Sequence, residues 1–190
     1  MSDTLLPATR GAGPLLQRDY WAVLAGCTLK PSELMAHVKT HFCELPPASL
    51  VEFVTDGCLV KDARLDIRIK PGQHCAVRVI HEDAQSVTLA TLDGHPEAGR
   101  ITFAAYRNDA GGLIFHIRSR ARSTSPLKRI GFLAIGDAMQ TNTWADFIKN
   151  AAASVGAHIP DVIHADTEHV CELPEDGEPL HSPTFLAVGD

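Results

Sequence analysis

At 190 residues, 45% hydrophobic and 21% charged, the chain is long enough to bury a core of its own and lies far from the composition of disordered segments. A formal charge of −6 and a pI near 5.9 exclude a generally basic phosphate-binding surface, so nucleic acid is not an expected partner. Five cysteines (Cys27, Cys43, Cys58, Cys75, Cys171) with no C-x-x-C pair and no signal peptide fit a reducing compartment. The longest apolar runs fall far short of the roughly 20 residues of a membrane span, so a soluble, cytoplasmic protein is expected.

Residues 1–18 mix Gly, Pro, Arg and Leu without a period, which predicts a flexible terminus. Tyr20 to Ala25 is apolar and reads either as a short strand or as a docking segment. Pro31-Ser32-Glu33 opens a helix to about His41 or Phe42: Pro suits the first turn, Glu33 suits the positive helix end, and Leu34, Met35, Val38 and Phe42 share a stripe. Leu45-Pro46-Pro47 ends it.

From residue 50 the period becomes two. Leu65, Ile67 and Ile69 alternate with polar residues, Pro71-Gly72 turns the chain, and Cys75, Val77 and Val79 alternate in the next strand. Further strands are predicted over Ser86 to Leu92, Arg100 to Arg107 and Leu113 to Arg122. Asn108 to Gly112 forms a hairpin turn between the last two. In the last strand Leu113, Phe115, Ile117 and Ser119 face the core. His116, Arg118, Arg120 and Arg122 face the other side, read as a solvated face with an anion or partner contact left open.

Ser123-Thr124-Ser125-Pro126 reads as an N-cap and N1 proline, starting a helix to about Val155 with Ala138, Thr141, Ala145, Ile148 and Ala152 on one stripe and Trp144, Phe147 and Ala151 beside it. From Gly156 the prolines and acidic residues predict an extended tail that can add one edge strand. The expected organisation is a flexible 1–18, one domain over 19–155 and a tail over 156–190. The class is α+β, with a curved antiparallel sheet gripping the long C-terminal helix. A cavity between them is permitted by Ala90, Ala104 or Ala105, Ala145 and Ala151.

The stretch Thr91-Leu92-Asp93-Gly94-His95-Pro96-Glu97-Ala98-Gly99, followed by Ile101-Thr102-Phe103, resembles the TL-x-GHPE-x-G signature of the uncharacterised family called domain of unknown function nineteen-ninety. Arg78-Val79, Phe115, Ile117, Arg122 to Leu127 and Gln140 extend the resemblance over roughly residues 50 to 155. Arg100 departs from it, standing where the family continues with acidic residues, and Asp93 replaces a common proline. That family is similar to the helix-grip proteins, which include the birch-pollen allergen, START-like lipid-transfer domains and polyketide cyclases. The resemblance implies a ligand cavity between sheet and helix.

Arg78, Thr91, His95, Glu97, Tyr106 and Trp144 are the candidate ligand contacts; no catalytic residue is assigned. His95 beside Glu97 on a Pro-containing turn suits acid–base or polar recognition work, and equally suits bonding the backbone of a tight connection. His37-x-x-x-His41 has helical metal-ligand spacing but no third ligand, and His164, Asp166, His169 and Cys171 form a weaker group, so neither metal nor cofactor is expected. No nucleophile elbow, phosphate loop or dinucleotide fingerprint is present. Three functions stay open. The first is a binding module for a small apolar or amphipathic molecule, which calls for a cavity of about 300 Å³. The others are a cyclase or hydratase using the same cavity and a protein-interaction module.

Overall fold

The computed structural model describes residues 3–55, 57–124 and 141–170. In chain order the main elements are β1 (Ala12–Leu24), α1 (Pro31–His41), β2 (Val51–Val54), β3 (Arg64–Ile69), β4 (Gln73–Glu82), β5 (Ser86–Thr91), β6 (Glu97–Arg107), β7 (Leu113–Ser123), a helix α2 over 141–154, and β8 (His164–Val170). The strands form one antiparallel sheet in the order β2-β3-β4-β5-β6-β7-β1-β8.

The alternation read from the sequence sets the two faces. Ile67 stands opposite Cys75 across the β3–β4 hairpin, and Leu65, Val77 and Val79 are buried in the core. Phe103 and Ala105 of β6 and Leu113, Phe115 and Ile117 of β7 share that face. The β6–β7 turn closes by Asn108 N–H to the Gly112 carbonyl at 3.0 Å, with Gly111 in the left-handed region (φ +81°).

Both helices pack on this face. In α1, Glu33 caps its own helix by accepting from the Lys30 N–H at 2.7 Å, and Leu34, Met35 and Val38 are fully buried. Phe42 follows directly, its ring 5.0 Å from Phe103 and 5.2 Å from Phe147 of α2. Phe147, Ile148, Ala151 and Ala152 form the buried side of α2.

The structure departs from expectation at the N-terminal end. Residues 12–18, read as part of a flexible terminus, belong to a 13-residue strand that lies inside the sheet between β7 and β8. Tyr20, Ala22 and Leu24 carry the core pattern, but the sheet neighbours bury Gln17, Arg18 and Asp19 as well, so no hydrophobic alternation marks the first half. The tail does add an edge strand, β8. It is held by Trp21 stacked on His164 (3.7 Å between centroids, 4° between planes) and Gln17 bonded to Glu168. The sheet therefore extends beyond both limits of the expected 19–155 domain. Ser123 ends β7, and the expected N1 proline Pro126, the Ser125 before it and the helix start up to residue 140 lie outside the described residues.

Candidate functional site

The turn from Leu92 to Pro96 joins β5 to β6 and is pinned on several sides. His95 N–H bonds the Leu92 carbonyl, Asp93 N–H bonds Thr4, and the Pro96 carbonyl accepts from both the Thr124 N–H and hydroxyl. Gly94 supplies the positive φ of +97° that the turn requires. Thr91 Oγ1 accepts from the Gly99 N–H at 3.0 Å and lies 2.9 Å from the Leu6 carbonyl, so its hydroxyl is engaged by backbone.

Beside this turn a cavity of about 130 Å³ opens between the concave face and the Thr143–Trp144 stretch of α2. Its walls are mostly apolar: Val51 and Phe53 of β2, Ile67 of β3, Val77 of β4, Leu89 of β5 and Ile101 of β6, with Trp144 of α2. Thr91, His95, Glu97, Arg100, Ser119 and Thr143 are the polar and charged residues of the lining. Arg18 Nη1 lies 3.4 Å from Glu97 Oε1, and both side chains are largely buried, so the carboxylate is charge-paired. None of the alanines expected to make room lines the cavity. Ala105 and Ala151 are packed in the core, while Ala90 and Ala104 stand opposite Arg78 and His116 respectively, away from it. Ala121 is the small residue that lines it.

Of the six candidate contacts, Thr91, His95, Glu97 and Trp144 come together on this lining, and two do not. Arg78 lies on the opposite face of β4, 3.4 Å from Asp3, because residues of its parity point away from Val77 and Val79. Tyr106 likewise points outward, its Oη 3.1 Å from His116 Nδ1. Trp144 serves the core too, edge-on to Phe103 at 5.5 Å. Sequence reasoning did not find Arg18: its partner Glu97 is 79 positions away, and nothing local marks the pairing.

His95 Nδ1 lies 2.9 Å from the Glu97 carbonyl and 3.0 Å from the Glu97 N–H, so either neutral tautomer is bonded. Burial pushes the imidazole down to about 4, against a smaller opposing effect of the Glu97 backbone. A folded-state pKa below the unfolded value of 6.5 means stability that is complete above pH 6.5 and lost as pH falls toward 4. His95→Asn keeps an acceptor for the Glu97 N–H and removes the titration. In urea titrations from pH 8 to 4, wild type should lose up to about 3 kcal/mol more than this variant. Parallel curves would show that His95 does not titrate in this way.

The far face of β7 is not the solvated face expected. His116 and Arg118 are buried, 0% and 5% exposed, because β1 lies beside β7 with Asp19 opposite Arg118 and Gln17 opposite Arg120. Asp19 Oδ1 accepts from His116 Nε2 at 2.7 Å and from Arg118 Nε at 2.5 Å, and Arg120 Nε donates to Gln17 Oε1 at 2.6 Å. This network answers the arginine cluster from within the chain.

The paired histidines of α1 are spent locally: His37 Nε2 lies 3.0 Å from Ser154 Oγ and His41 Nδ1 lies 3.4 Å from Glu44. Among the described residues no group of three His, Cys, Asp or Glu side chains is placed to hold a metal ion. Cys171 of the tail group lies outside them. No helix of the described residues is long and apolar enough to cross a membrane.

Among solved structures, norcoclaurine synthase from Thalictrum flavum, in complex with dopamine and hydroxybenzaldehyde, is similar over 82% of this chain and 93% of that one, at 10% identity and a TM-score of 0.53. The di-domain ARO/CYC StfQ of the steffimycin biosynthetic pathway is similar over 75% of this chain and 51% of that one, at 12% identity and a TM-score of 0.51. This chain thus spans about half of the StfQ protein. Identities this low establish the fold alone, and the fold is the helix-grip arrangement. No curated protein matches the sequence. The model of the Domain of unknown function (DUF1990) matches residues 46–149, more than half of the 190 residues, and the chain belongs to that family.

Proposed function

We propose that the protein is a binding module that holds one small, largely apolar molecule between the concave face of the sheet and α2. The observation that carries this reading is the apolar cavity of about 130 Å³. Protein cores pack densely enough that voids much larger than a water molecule are few, so an apolar opening of this size is space kept free. It is smaller than the roughly 300 Å³ of a pocket for a drug-sized ligand, which corrects the expected occupant downward. An apolar cavity of about 150 Å³ in another protein admits benzene, so the occupant here is about one ring in size. The described cysteines are free thiols, which supports a reducing, cytoplasmic setting.

Native mass spectrometry of freshly purified protein, followed by titration with toluene under NMR observation, tests the reading. A copurified small mass, or saturable shifts at Leu89 and Ile101, is the expected result. Ile101→Phe, which fills the cavity, should abolish the toluene response in a folded protein. A wild type with neither a copurified mass nor a saturable response would remove the proposal.

A cyclase or hydratase in the same cavity has one observation in its favour, His95 and Glu97 on one lining. The electrostatics favour binding over catalysis. An imidazole held near 4 is a weak base at neutral pH, and its Nδ1 is already bonded to backbone.

A further inference from the structure

We infer that Ser119 is the specificity-determining residue of this cavity and that it selects a ring carrying a neutral hydroxyl group. The inference rests on the binding reading above and narrows it from apolar rings in general to hydroxylated ones.

Ser119 interrupts an otherwise apolar row on the inner face of β7, formed by Leu113, Phe115, Ile117 and Ala121. It is 7% exposed and lines the cavity, and its Oγ is buried with no hydrogen-bond partner among the described residues. A buried hydroxyl left unbonded is costly, so an orphan of this kind calls for an explanation. Its position supplies one. Ser119 stands between Ile101 of β6 and Arg18 of β1, where the apolar wall meets the Arg18–Glu97 ion pair.

The charges of Arg18 and Glu97 offset one another, so an ionised group beside Ser119 gains little from that pair and would leave its hydration behind; Arg100 is a further charged residue of the lining. A neutral hydroxyl loses only the water bonds that Ser119 Oγ can replace, as donor or as acceptor. The rest of the ligand meets Phe53, Leu89 and Trp144, which suit an aromatic ring. The cavity volume of about 130 Å³ limits that ring to one.

Phenol and toluene form the test pair, since they match in size and differ in the hydroxyl. In a purely apolar cavity toluene wins, because the phenol hydroxyl must leave water without compensation. The wild type should bind phenol at least as tightly as toluene, measured by calorimetry and NMR titration. Ser119→Ala should keep toluene affinity within about threefold and weaken phenol roughly tenfold, the equivalent of one hydrogen bond. Ser119→Cys, close to serine in size but a poor hydrogen-bonding group, should behave the same way and guards against a folding defect in either variant. Equal responses of wild type and both variants to the two compounds, or a phenol preference that survives both substitutions, would overturn the role of Ser119 while leaving the binding module standing. Absence of binding by either compound to the wild type would overturn both.

Discussion

Asp19→Asn should unfold in urea at pH 7 with about 3–5 kcal/mol less free energy than the wild type, the cost of leaving a buried cation without its counter-charge. Asp19 is 2% exposed, and its carboxylate collects three donors: His116 Nε2, Arg118 Nε and, on Oδ2, the Gln17 amide at 3.0 Å. Burial alone raises a carboxyl, but the hydrogen bonds and charges of His116 and Arg118 outweigh it and hold Asp19 below its ordinary range. Burial lowers His116 against the pull of Asp19, so the imidazole is neutral at pH 7. It then donates from Nε2 and accepts on Nδ1 from Tyr106, whose phenol burial pushes up to about 12. Both depressed groups give stability that disappears in acid, His116 from pH 6.5 downward and Asp19 only below 3.8. The variant should therefore have a shallower loss below pH 3.8. An Asp19→Leu, Arg118→Met double variant should recover much of the single-variant loss, because it removes both buried charges together. A loss under about 1 kcal/mol in Asp19→Asn would mean that water reaches this face and screens the pair.

That network also marks where sequence legibility ends. The core strands were readable because Leu65, Val77, Phe103 and Phe115 follow a period of two that only one buried face imposes. β1 was not, because Gln17, Arg18 and Asp19 are buried through partners about a hundred residues away, and their polarity reads locally as exposure. The parity match of Gln17 and Asp19 with Arg118 and Arg120 was a usable signal only if β1 and β7 were already known to pair. The place of His95 and Glu97 on the cavity lining is legible from their setting on a turn between two strands. Ser119 reads as an inner-face residue of β7 from its parity with Phe115 and Ile117, but its missing hydrogen bond depends on packing that no local pattern encodes.

Gly99→Ala should be the most damaging single substitution in the Gly94-to-Gly99 stretch, costing about 3 kcal/mol or more and able to prevent folding. Gly99 stands opposite Ala121 in the β6–β7 pair, and a Cβ built on it would lie 2.2 Å from the Arg120 carbonyl oxygen and 2.7 Å from Ala121 Cα. Those are backbone atoms, which cannot swing aside as a side chain would. β6 would have to part from β7, or the hydrogen bond from Gly99 N–H to Thr91 Oγ1 would have to break. Gly94 is the internal control: nothing lies within 4 Å of its added Cβ, so Gly94→Ala meets only the strain of a positive φ, about 1–2 kcal/mol. Urea denaturation of the two variants checks the order, and a Gly94 variant as unstable as the Gly99 variant would refute the close-approach account. Gly94 thus permits the turn, whereas Gly99 permits the close contact with β7 in addition to its own positive φ of +157°. The contact seats Glu97, Ile101 and Ser119 around one cavity, because all three lie within two residues of the Gly99–Ala121 pair.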